Sequence, residues 1–263
     1  MAGPCGRIRI MTVHDIHFSA RGTTASYARA ICTAIGLPTI SSNWLRREER
    51  REVDISHDDL LVFSMPVYGG FIPALCRDSA VLLQGHDTPA IIVAVYGNRH
   101  YDDAIVQMRG LLEERGFTVV AGAAFVARHS IFPSVAADRP DDDDLDEARS
   151  FAKRALESIG RTGRLALPGR EDHDSLVFKG SSFHPCGDDR CIRCMACAGI
   201  CPTGAVDRAD PRMSDTSACI SCGACIDVCP VSSRGYHDEA YKAAETTFAA
   251  KCSGRRKNEI FLL

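Results

Sequence analysis

Long apolar runs are absent from this sequence. No stretch of about eighteen apolar residues occurs, so a membrane-spanning helix is not expected. The first residues, MAGPCGRIRIM, lack the apolar core of a secretory signal peptide, because Arg7 and Arg9 interrupt the first apolar run. The sequence therefore indicates a cytoplasmic protein without a membrane span.

An excess of charge of either sign is absent too. Lys and Arg number 31 and Asp and Glu number 34, and no basic face or DNA-binding motif is evident. A nucleic-acid or anionic-membrane partner is therefore not expected. The sequence also lacks the G-x-G-x-x-G motif of dinucleotide-binding domains and the Gly-Lys-Ser/Thr of a Walker loop. Direct oxidation of a nicotinamide cofactor is therefore disfavoured.

Cysteines are sparse outside one stretch. Of the 13 in the chain, nine lie between Cys186 and Cys229, and the others are Cys5, Cys32, Cys76 and Cys252. A secreted disulfide scaffold would be short and rich in cysteine throughout, which does not hold here. Clustered cysteines in a cytosolic chain more often bind metal. Cys32 falls in a helical pattern, where a free cysteine behaves as a small apolar core residue.

The first part of the chain alternates strand and helix patterns. The strands are near-continuous apolar runs, as in parallel sheets covered on both faces: Ile8–Val13, Leu60–Ser64, Ala90–Tyr96 and Thr118–Val126, with a short fifth strand at Val53–Ile55. Helices are expected at Thr24–Ile35, after Pro73, at Tyr101–Arg115 and at Asp144–Ile159. This alternation predicts an α/β fold with a five-stranded, doubly wound parallel sheet.

The 263 residues are 45% apolar, which suits one large domain and a small one. We expect a first domain at residues 1–165, a linker at 166–178 and a cysteine-rich domain at 179–236. A helix and tail at 237–263 would follow and pack on either domain. The acidic run Asp141–Asp144 is interpreted as a helix first turn, favoured by the helix dipole, rather than as a metal site.

The cysteine-rich segment contains one motif twice, C-x-x-C-x-x-C-x-x-x-C-P. The first copy runs from Cys191 to Pro202 and the second from Cys219 to Pro230. Three thiolates at i, i+3 and i+6 can converge on one iron–sulfur cubane, whereas the fourth points away and ligates the other cluster. The spacing predicts two 4Fe–4S clusters. The first would be held by Cys191, Cys194, Cys197 and Cys229, and the second by Cys201, Cys219, Cys222 and Cys225.

A pair of structural zinc sites is the alternative, since C-x-x-C pairs also build zinc ribbons. Zinc has no use for a third cysteine at i+6 or for a repeated Cys-Pro ending, so this alternative is disfavoured. Cys186 is interpreted as a spare thiol rather than a ligand. The segment resembles bacterial two-cluster ferredoxins over roughly residues 180–235. That resemblance implies a small α+β domain with ordinary low-potential clusters.

A possible phosphate site follows the first strand. Ser19, Arg21, Gly22, Thr23 and Thr24 lead directly into a helix, and hydroxyls with free N–H groups at a helix N-terminus bind anions. A plain helix cap is the alternative. Two more loops, MPVYGG from Met65 and YGNRHYDD from Tyr96, follow strands at the end of the sheet where α/β folds bind ligands.

These three loops resemble those of the flavodoxin family, which enclose FMN; the resemblance covers roughly residues 7–159. Together with the cysteine motifs, the chain resembles the flavodoxin–ferredoxin fusions, in which a PVYGG and a YGNRxYDDA loop recur. The resemblance implies that Ser19, Arg21, Gly22, Thr23 and Thr24 hold the FMN phosphate. It implies that the ring lies near Pro66, Val67, Tyr68, Gly69, Gly70, Tyr96, Gly97, Asn98, Tyr101 and Asp103. His129 is interpreted as structural rather than as a flavin contact.

A flavin exchanges one or two electrons and each cluster passes one, so joining them suggests an electron converter. We expect an iron–sulfur flavoprotein oxidoreductase that passes electrons between its clusters, FMN and a redox partner. That partner would be a ferredoxin-like donor, a reductase or a dehydrogenase, with a homodimer as one arrangement. The alternatives are a pure electron carrier, an FMN-dependent reductase of a small molecule, and a disfavoured redox sensor.

Overall fold

The computed structural model describes residues 10–171 and 180–263, in ten strands and seven helices. The strands are β1 Val13–His17, β2 Thr39–Asn43, β3 Val53–Ile55, β4 Leu60–Pro66, β5 Leu83–Gly85, β6 Thr88–Tyr96, β7 Phe117–Val126, β8 Cys186–Gly187, β9 Arg234–Gly235 and β10 Glu259–Leu262. The helices are α1 Thr23–Ile35, α2 Ala74–Ser79, α3 Ala104–Glu113, α4 Asp142–Leu156, α5 Ala196–Ile200, α6 Ala224–Asp227 and α7 Glu239–Lys251, with short 3₁₀ turns at Arg47–Glu49 and Ala80–Leu82.

The main sheet has the strand order β10-β7-β6-β4-β1-β2. Five of its strands, β2, β1, β4, β6 and β7, are parallel. If these five are renumbered by their order in the chain, their order in the sheet is 2-1-3-4-5, as in flavodoxin-like doubly wound folds. The prediction of a flavodoxin-like α/β fold is therefore confirmed. In the described part of the chain, no helix is long and apolar enough to cross a membrane.

Neighbouring residues along each central strand face opposite layers. Val62 packs in a core with α1 and α4, whereas Phe63 packs in a core with α3. Because both faces are covered, these strands are apolar at nearly every position, as buried parallel strands are. The second core also contains Cys222 and Ala224 of the cysteine-rich domain, so the two domains share one apolar layer.

Two strands of the sheet differ from the sequence-based expectation. The first lies at Val13–His17 rather than Ile8–Val13, and part of the expected range is outside the described residues. The edge strand is Thr39–Asn43, a polar and largely exposed segment that carries no apolar signal. Val53–Ile55 is a strand, but it pairs with β5 in a separate two-stranded sheet, so its expected place in the main sheet was wrong.

The C-terminal segment belongs to the first domain. β10 pairs antiparallel with Ala121–Ala124 of β7, and Ser158 donates to the carbonyl of Leu263 at 3.1 Å. Helix α7 packs its Tyr241 against Phe132, and the Tyr241 hydroxyl donates to the carbonyl of Ile131 at 2.7 Å. The chain thus leaves the sheet after α4, forms the cysteine-rich domain and returns to add a sixth strand.

The described part of the expected linker is docked. Leu165 is buried, and Arg109, also buried, donates to its carbonyl oxygen at 2.5 Å and to the Glu171 carboxylate at 2.5 and 2.6 Å. Arg170 forms an ion pair with Asp103. Residues 172–178 of the expected linker lie outside the described residues.

Candidate iron–sulfur and flavin site

The two cysteine motifs fold into the same backbone shape. In each, the residues two and four positions after the first cysteine are left-handed: Arg193 and Met195 in the first copy, and Ser221 and Gly223 in the second. Three of these four are not glycine, and such residues rarely adopt positive φ. Left-handed residues in a tight turn aim successive N–H groups into one concavity, which suits anionic iron–sulfur groups. The repeated backbone shape therefore suits the binding of an iron–sulfur cluster.

Four thiols predicted to hold the second cluster line one cavity: Cys201, Cys219, Cys222 and Cys225. The first of these belongs to the first motif and the other three to the second motif. The lining is largely apolar and includes Ala224, which packs in the core shared with the first domain. The geometry brings these four side chains together across the two motifs, as the sequence spacing predicts.

Burial and local donors shift the thiol pKa values in opposite directions. Burial raises the pKa of Cys222 to about 12 and, against the opposing effect of Arg234, that of Cys225 to about 11. Burial also acts on Cys201, but donors in residues 203–206 lower its pKa below the usual range. Residues 231–234 lower the pKa of Cys229 in the same way. Iron coordination would deprotonate the buried thiols outright.

The thiols predicted for the first cluster lie nearer the surface. Cys194 is exposed, Cys191 and Cys229 are half-buried, and Cys197 is buried. The side chain of Ile192, between two of them, is 62% exposed. The loop predicted to hold the first cluster therefore faces solvent, whereas the cavity of the four thiols lies against the first domain.

The expected phosphate loop begins α1 as the sequence indicated. Gly22 is the N-cap with φ 83°, and the Ser19 hydroxyl accepts a hydrogen bond from the Ala25 N–H at 3.1 Å. Thr23 and Thr24 are the first two helical residues, whose N–H groups have no carbonyl partner within a helix. Both line a narrow cavity at the ends of β4, β6 and β7.

The same cavity collects the strand-end residues. Pro66, Val67 and Tyr68 form one side, and Tyr96 and Gly97 another. Beyond them, Gly69 and Gly70 both have positive φ in a tight turn that closes on two hydrogen bonds between Tyr68 and Phe71. A side chain at position 70 would collide with Asp102, so this turn requires glycine. Burial and the nearby Cys222 raise the pKa of the Tyr68 hydroxyl well above its usual value.

Three residues expected near the flavin ring have other partners. The Asn98 amide donates to the carbonyls of Cys252 and Gly254 at 2.7 and 2.9 Å. The Tyr101 hydroxyl donates to Glu259 at 2.8 Å, and Asp103 accepts from Arg170. None of the three lines the cavity. In the structure, Asn98 and Tyr101 hold the C-terminal segment and Asp103 holds residue 170, and their expected place at the flavin ring stays a prediction.

Arg21 connects the phosphate loop to the cysteine-rich domain. Its Nε and Nη2 donate to both oxygens of Asp227 at 3.1 and 2.7 Å, and its Nη1 donates to the Ser130 carbonyl at 3.1 Å. Asp227 lies between the last two cysteines of the second motif. A side chain on Gly223 would approach the Arg21 side chain to 3.0 Å. Arg21 therefore lines the cavity, but its guanidinium is held by the other domain.

Two further arginines fix the domain interface. Arg47 and Arg50 both donate to the carbonyl of Pro202, at 3.2 and 3.0 Å. Pro202 follows the cluster ligand predicted at Cys201. Both motifs are thus anchored to the first domain within two residues of a predicted ligand.

Cys222 is the residue that the two cavities share. It is 8% exposed, and it lines both the cavity at the start of α1 and the cavity of the four thiols. The predicted flavin pocket and the cavity predicted for the second cluster therefore meet at this residue.

His129 is structural, as the sequence interpretation held. Its Nδ1 accepts from the N–H groups of Ile131 and Phe132 at 3.2 and 3.0 Å, and its ring packs on Gly97 and Phe248. Burial, with the nearby Arg99, lowers its pKa to about 4, so the ring is neutral at pH 7.

The sequence analysis did not single out some residues of the site. Ala127 lines the flavin-side cavity because the chain after β7 turns across it. Arg234 lines the cavity of the four thiols. Its position five residues after Cys229 matches that of Val206 after Cys201, so the repeat itself offered a signal: one copy has a cation where the other has an apolar residue.

Residues 190–233 match the family model of the 4Fe-4S dicluster domain. No curated protein sequence matches the chain. Among solved structures, a flavodoxin from the domain Archaea is 16% identical with a TM-score of 0.39, covering 57% of this chain and 100% of that one. The apo form of an NADH:FMN oxidoreductase is 15% identical, with a TM-score of 0.43 and coverage of 56% and 89%. A flavodoxin of Streptococcus pneumonia TIGR4 is 12% identical, with a TM-score of 0.41 and coverage of 56% and 99%.

The fold assignment rests on the strand order of this chain rather than on those low similarities. The iron–sulfur assignment rests on the matched family model and the repeated cysteine loops. The chain thus joins a flavodoxin-like domain to a ferredoxin-type 4Fe–4S domain, which is the organisation of a flavodoxin–ferredoxin fusion.

Proposed function

We propose that this chain transfers electrons between two 4Fe–4S clusters and an FMN, and exchanges them with a redox partner at the first cluster. The observation that carries the proposal is the position of Cys222 in the walls of both cavities. Electron transfer between cofactors needs them close together, and a shared wall supplies that closeness within one chain.

The proposed ligands are crossed between the two motifs. Cys191, Cys194, Cys197 and Cys229 would hold the first cluster, and Cys201, Cys219, Cys222 and Cys225 the second. The common cavity of the second set supports this assignment. The donors around Cys201 and Cys229 support it as well, because both displaced cysteines lie in the same local environment, which favours their thiolates.

The residues around the narrow cavity fit FMN in their donor chemistry. The N–H groups and hydroxyls of Thr23 and Thr24 would hold the terminal phosphate at the positive end of α1. Pro66, Tyr68 and Gly97 would line the ring. A bound flavin would exchange electrons singly or in pairs, which the clusters alone cannot do. Arg21 forms a wall of this cavity while its guanidinium donates to Asp227 and to the Ser130 carbonyl.

The exposed loop of the first cluster is the proposed contact for a protein partner. Ile192 and Cys194 are accessible there, whereas the second cluster's cavity is covered by the first domain. The proposed path therefore runs from the surface, through the first and second clusters, to the flavin pocket, or in the reverse direction.

Metal and flavin analysis of anaerobically prepared protein tests the proposal. About eight irons and eight sulfides per chain are expected from two cubanes. The flavin released on denaturation should be FMN, because the site proposed at the start of α1 suits one terminal phosphate. Zinc in place of iron, four irons, or released FAD would each contradict part of the proposal.

A further inference from the structure

Arg234 is a buried cation at the cavity of the four thiols. It begins β9 and is 4% exposed, and it lines the cavity together with Cys201, Cys219 and Cys225. Two of its hydrogen-bond partners, Pro185 and Ser214, line the same cavity. The guanidinium therefore faces the position proposed for the second cluster.

The hydrogen-bond partners of Arg234 are neutral. Nη1 donates to the carbonyl of Pro211 at 2.6 Å, and Nη2 donates to the carbonyl of Pro185 at 2.6 Å and to the Ser214 hydroxyl at 2.5 Å. Its Nε has no hydrogen-bond partner among the described residues. Arg190 and Arg212 of the same domain differ, since they pair with Asp188 and Asp210 at the surface.

A buried guanidinium with neutral partners carries a large desolvation cost unless an anion lies beside it. The anion available at this cavity is the set of cysteine thiolates and the cluster they would hold. Reduction adds a negative charge to that cluster, so a fixed cation stabilises its reduced form. Net charge and hydrogen bonds to sulfur are two of the factors that set iron–sulfur potentials. The first motif has Val206 at the position equivalent to Arg234.

We propose that Arg234 is the buried counter-charge of the second cluster and makes it the easier of the two clusters to reduce. Electrons that enter at the exposed first cluster then collect at the cluster beside the flavin pocket. This inference rests on the proposed two-cluster function. Arg234 acts here as a positioning and electrostatic residue.

A purely structural role is the competing explanation, because Arg234 also ties together residues 185, 211 and 214. Two variants separate the roles. Arg234→Lys keeps the charge but cannot reproduce the planar fork of contacts, and Arg234→Gln keeps polar contacts without the charge. Arg212→Gln is the matched control, since Arg212 is a surface arginine paired with an acid.

Potentiometric titration followed by EPR is the measurement, made on full-length protein that contains eight irons. In Arg234→Gln, the one-electron reduction equilibrium of the second cluster should become about tenfold less favourable, a fall of about 59 mV. Arg234→Lys should retain most of the wild-type value, and Arg212→Gln should leave both clusters unchanged. An unchanged potential in Arg234→Gln, or equal shifts in the Gln and Lys variants, would overturn the inference.

A second measurement tests the inference even if the Arg234→Gln variant does not retain its iron. Wild-type protein should show two potentials, and Cys219→Ala should abolish the higher one, because Cys219 belongs to the second cluster whether or not the displaced cysteines are crossed. Loss of the lower potential instead would overturn the inference. A wild-type iron content other than eight would refute the two-cluster function itself, so the two failures are distinguishable.

Discussion

A substitution of Gly22 tests the proposed flavin site most directly. This glycine has φ 83°, and apart from its chain neighbours no atom of the described residues lies within 4 Å of the point that a Cβ atom would occupy, so a Cβ atom can be placed there without a clash. Gly22→Asp would place a negative charge at the N-terminus of α1, where a phosphate would bind. We expect the variant to lose its FMN and to keep its iron.

Gly36→Asp is the control for that change. Gly36 caps the other end of α1, has φ 74° and is equally open, so the backbone strain of about 1–2 kcal/mol is similar at both positions. FMN content should remain at the wild-type level in this variant. If Gly22→Asp kept its FMN, or if both variants lost it equally, the phosphate would not bind at this helix end.

The crossed ligation predicts which cluster each displaced cysteine serves. Cys201→Ala should damage the second cluster, because Cys201 lines its cavity with Cys219, Cys222 and Cys225. Cys229→Ala should damage the first cluster and is the matched control. EPR of the reduced proteins, with iron content, distinguishes the two centres. The crossing would be wrong if Cys201→Ala spared the second cluster and removed the first.

Residue types predicted the cluster site more completely than the flavin site. Three thiols at a spacing of three residues, followed by a Cys-Pro pair and repeated once, are typical of iron–sulfur clusters, so all eight proposed ligands could be named from the sequence. Asn98 and Tyr101 lie in a loop whose composition suits a contact with a flavin ring as well as a contact with another part of the protein. Their actual partners, Cys252 and Glu259, lie more than 150 residues away in the chain, and no local pattern indicates such contacts.

Among the elements of the fold, β10 is held to the sheet by a buried ion pair and the asparagine beside it. Arg139 and Asp144, both buried, pair with each other, and Asn258 donates to Asp144 at 3.0 Å and accepts from the Val126 N–H at 2.9 Å. Asp144→Asn should lower the free energy of unfolding by about 3–5 kcal/mol, because it leaves a buried arginine unpaired. Asp143→Asn, an exposed change in the same helical turn, should cost less than about 1 kcal/mol. Urea titration of both variants measures the difference.

The same carboxylate gives the stability a pH dependence. Burial alone would raise the pKa of Asp144, but hydrogen bonds from Arg139 and Asn258 lower it to about 2. An unfolded aspartate has a pKa of about 3.9, so the stabilisation is complete above that value and is lost as the pH falls toward 2. Asp144→Asn should remove this part of the acid-induced loss. An identical pH profile in the variant would contradict the assignment.

Apolar patterning predicted the central strands and missed the edges. β4, β6 and β7 are apolar at nearly every position, since helices cover both faces. The apolar pattern does not reveal β1, because this strand buries the paired side chains of Asp15 and His17. β2 is a polar edge strand, and β10 is a four-residue addition whose partner strand precedes it by more than 130 residues. Edge strands need little apolar surface, so composition does not reveal them.

The ferredoxin-type domain is an insertion between α4 and β10 at the scale of the whole molecule. Cutting the chain before Cys186 would therefore remove a strand of the main sheet together with the clusters. Arg21, Arg47 and Arg50 also hold the domain in place through Asp227 and Pro202. Tests of the relay consequently need full-length chains in which single ligands are changed.

Anaerobic stopped-flow reduction of wild-type and Cys201→Ala proteins by a viologen-type donor tests the central claim most directly. In the wild type, cluster bleaching should come first, and flavin reduction should follow at a rate that does not depend on donor concentration. In Cys201→Ala, with its FMN content checked, flavin reduction should become slower and should depend on donor concentration. Equal flavin reduction rates in the two proteins would contradict an internal relay through the second cluster.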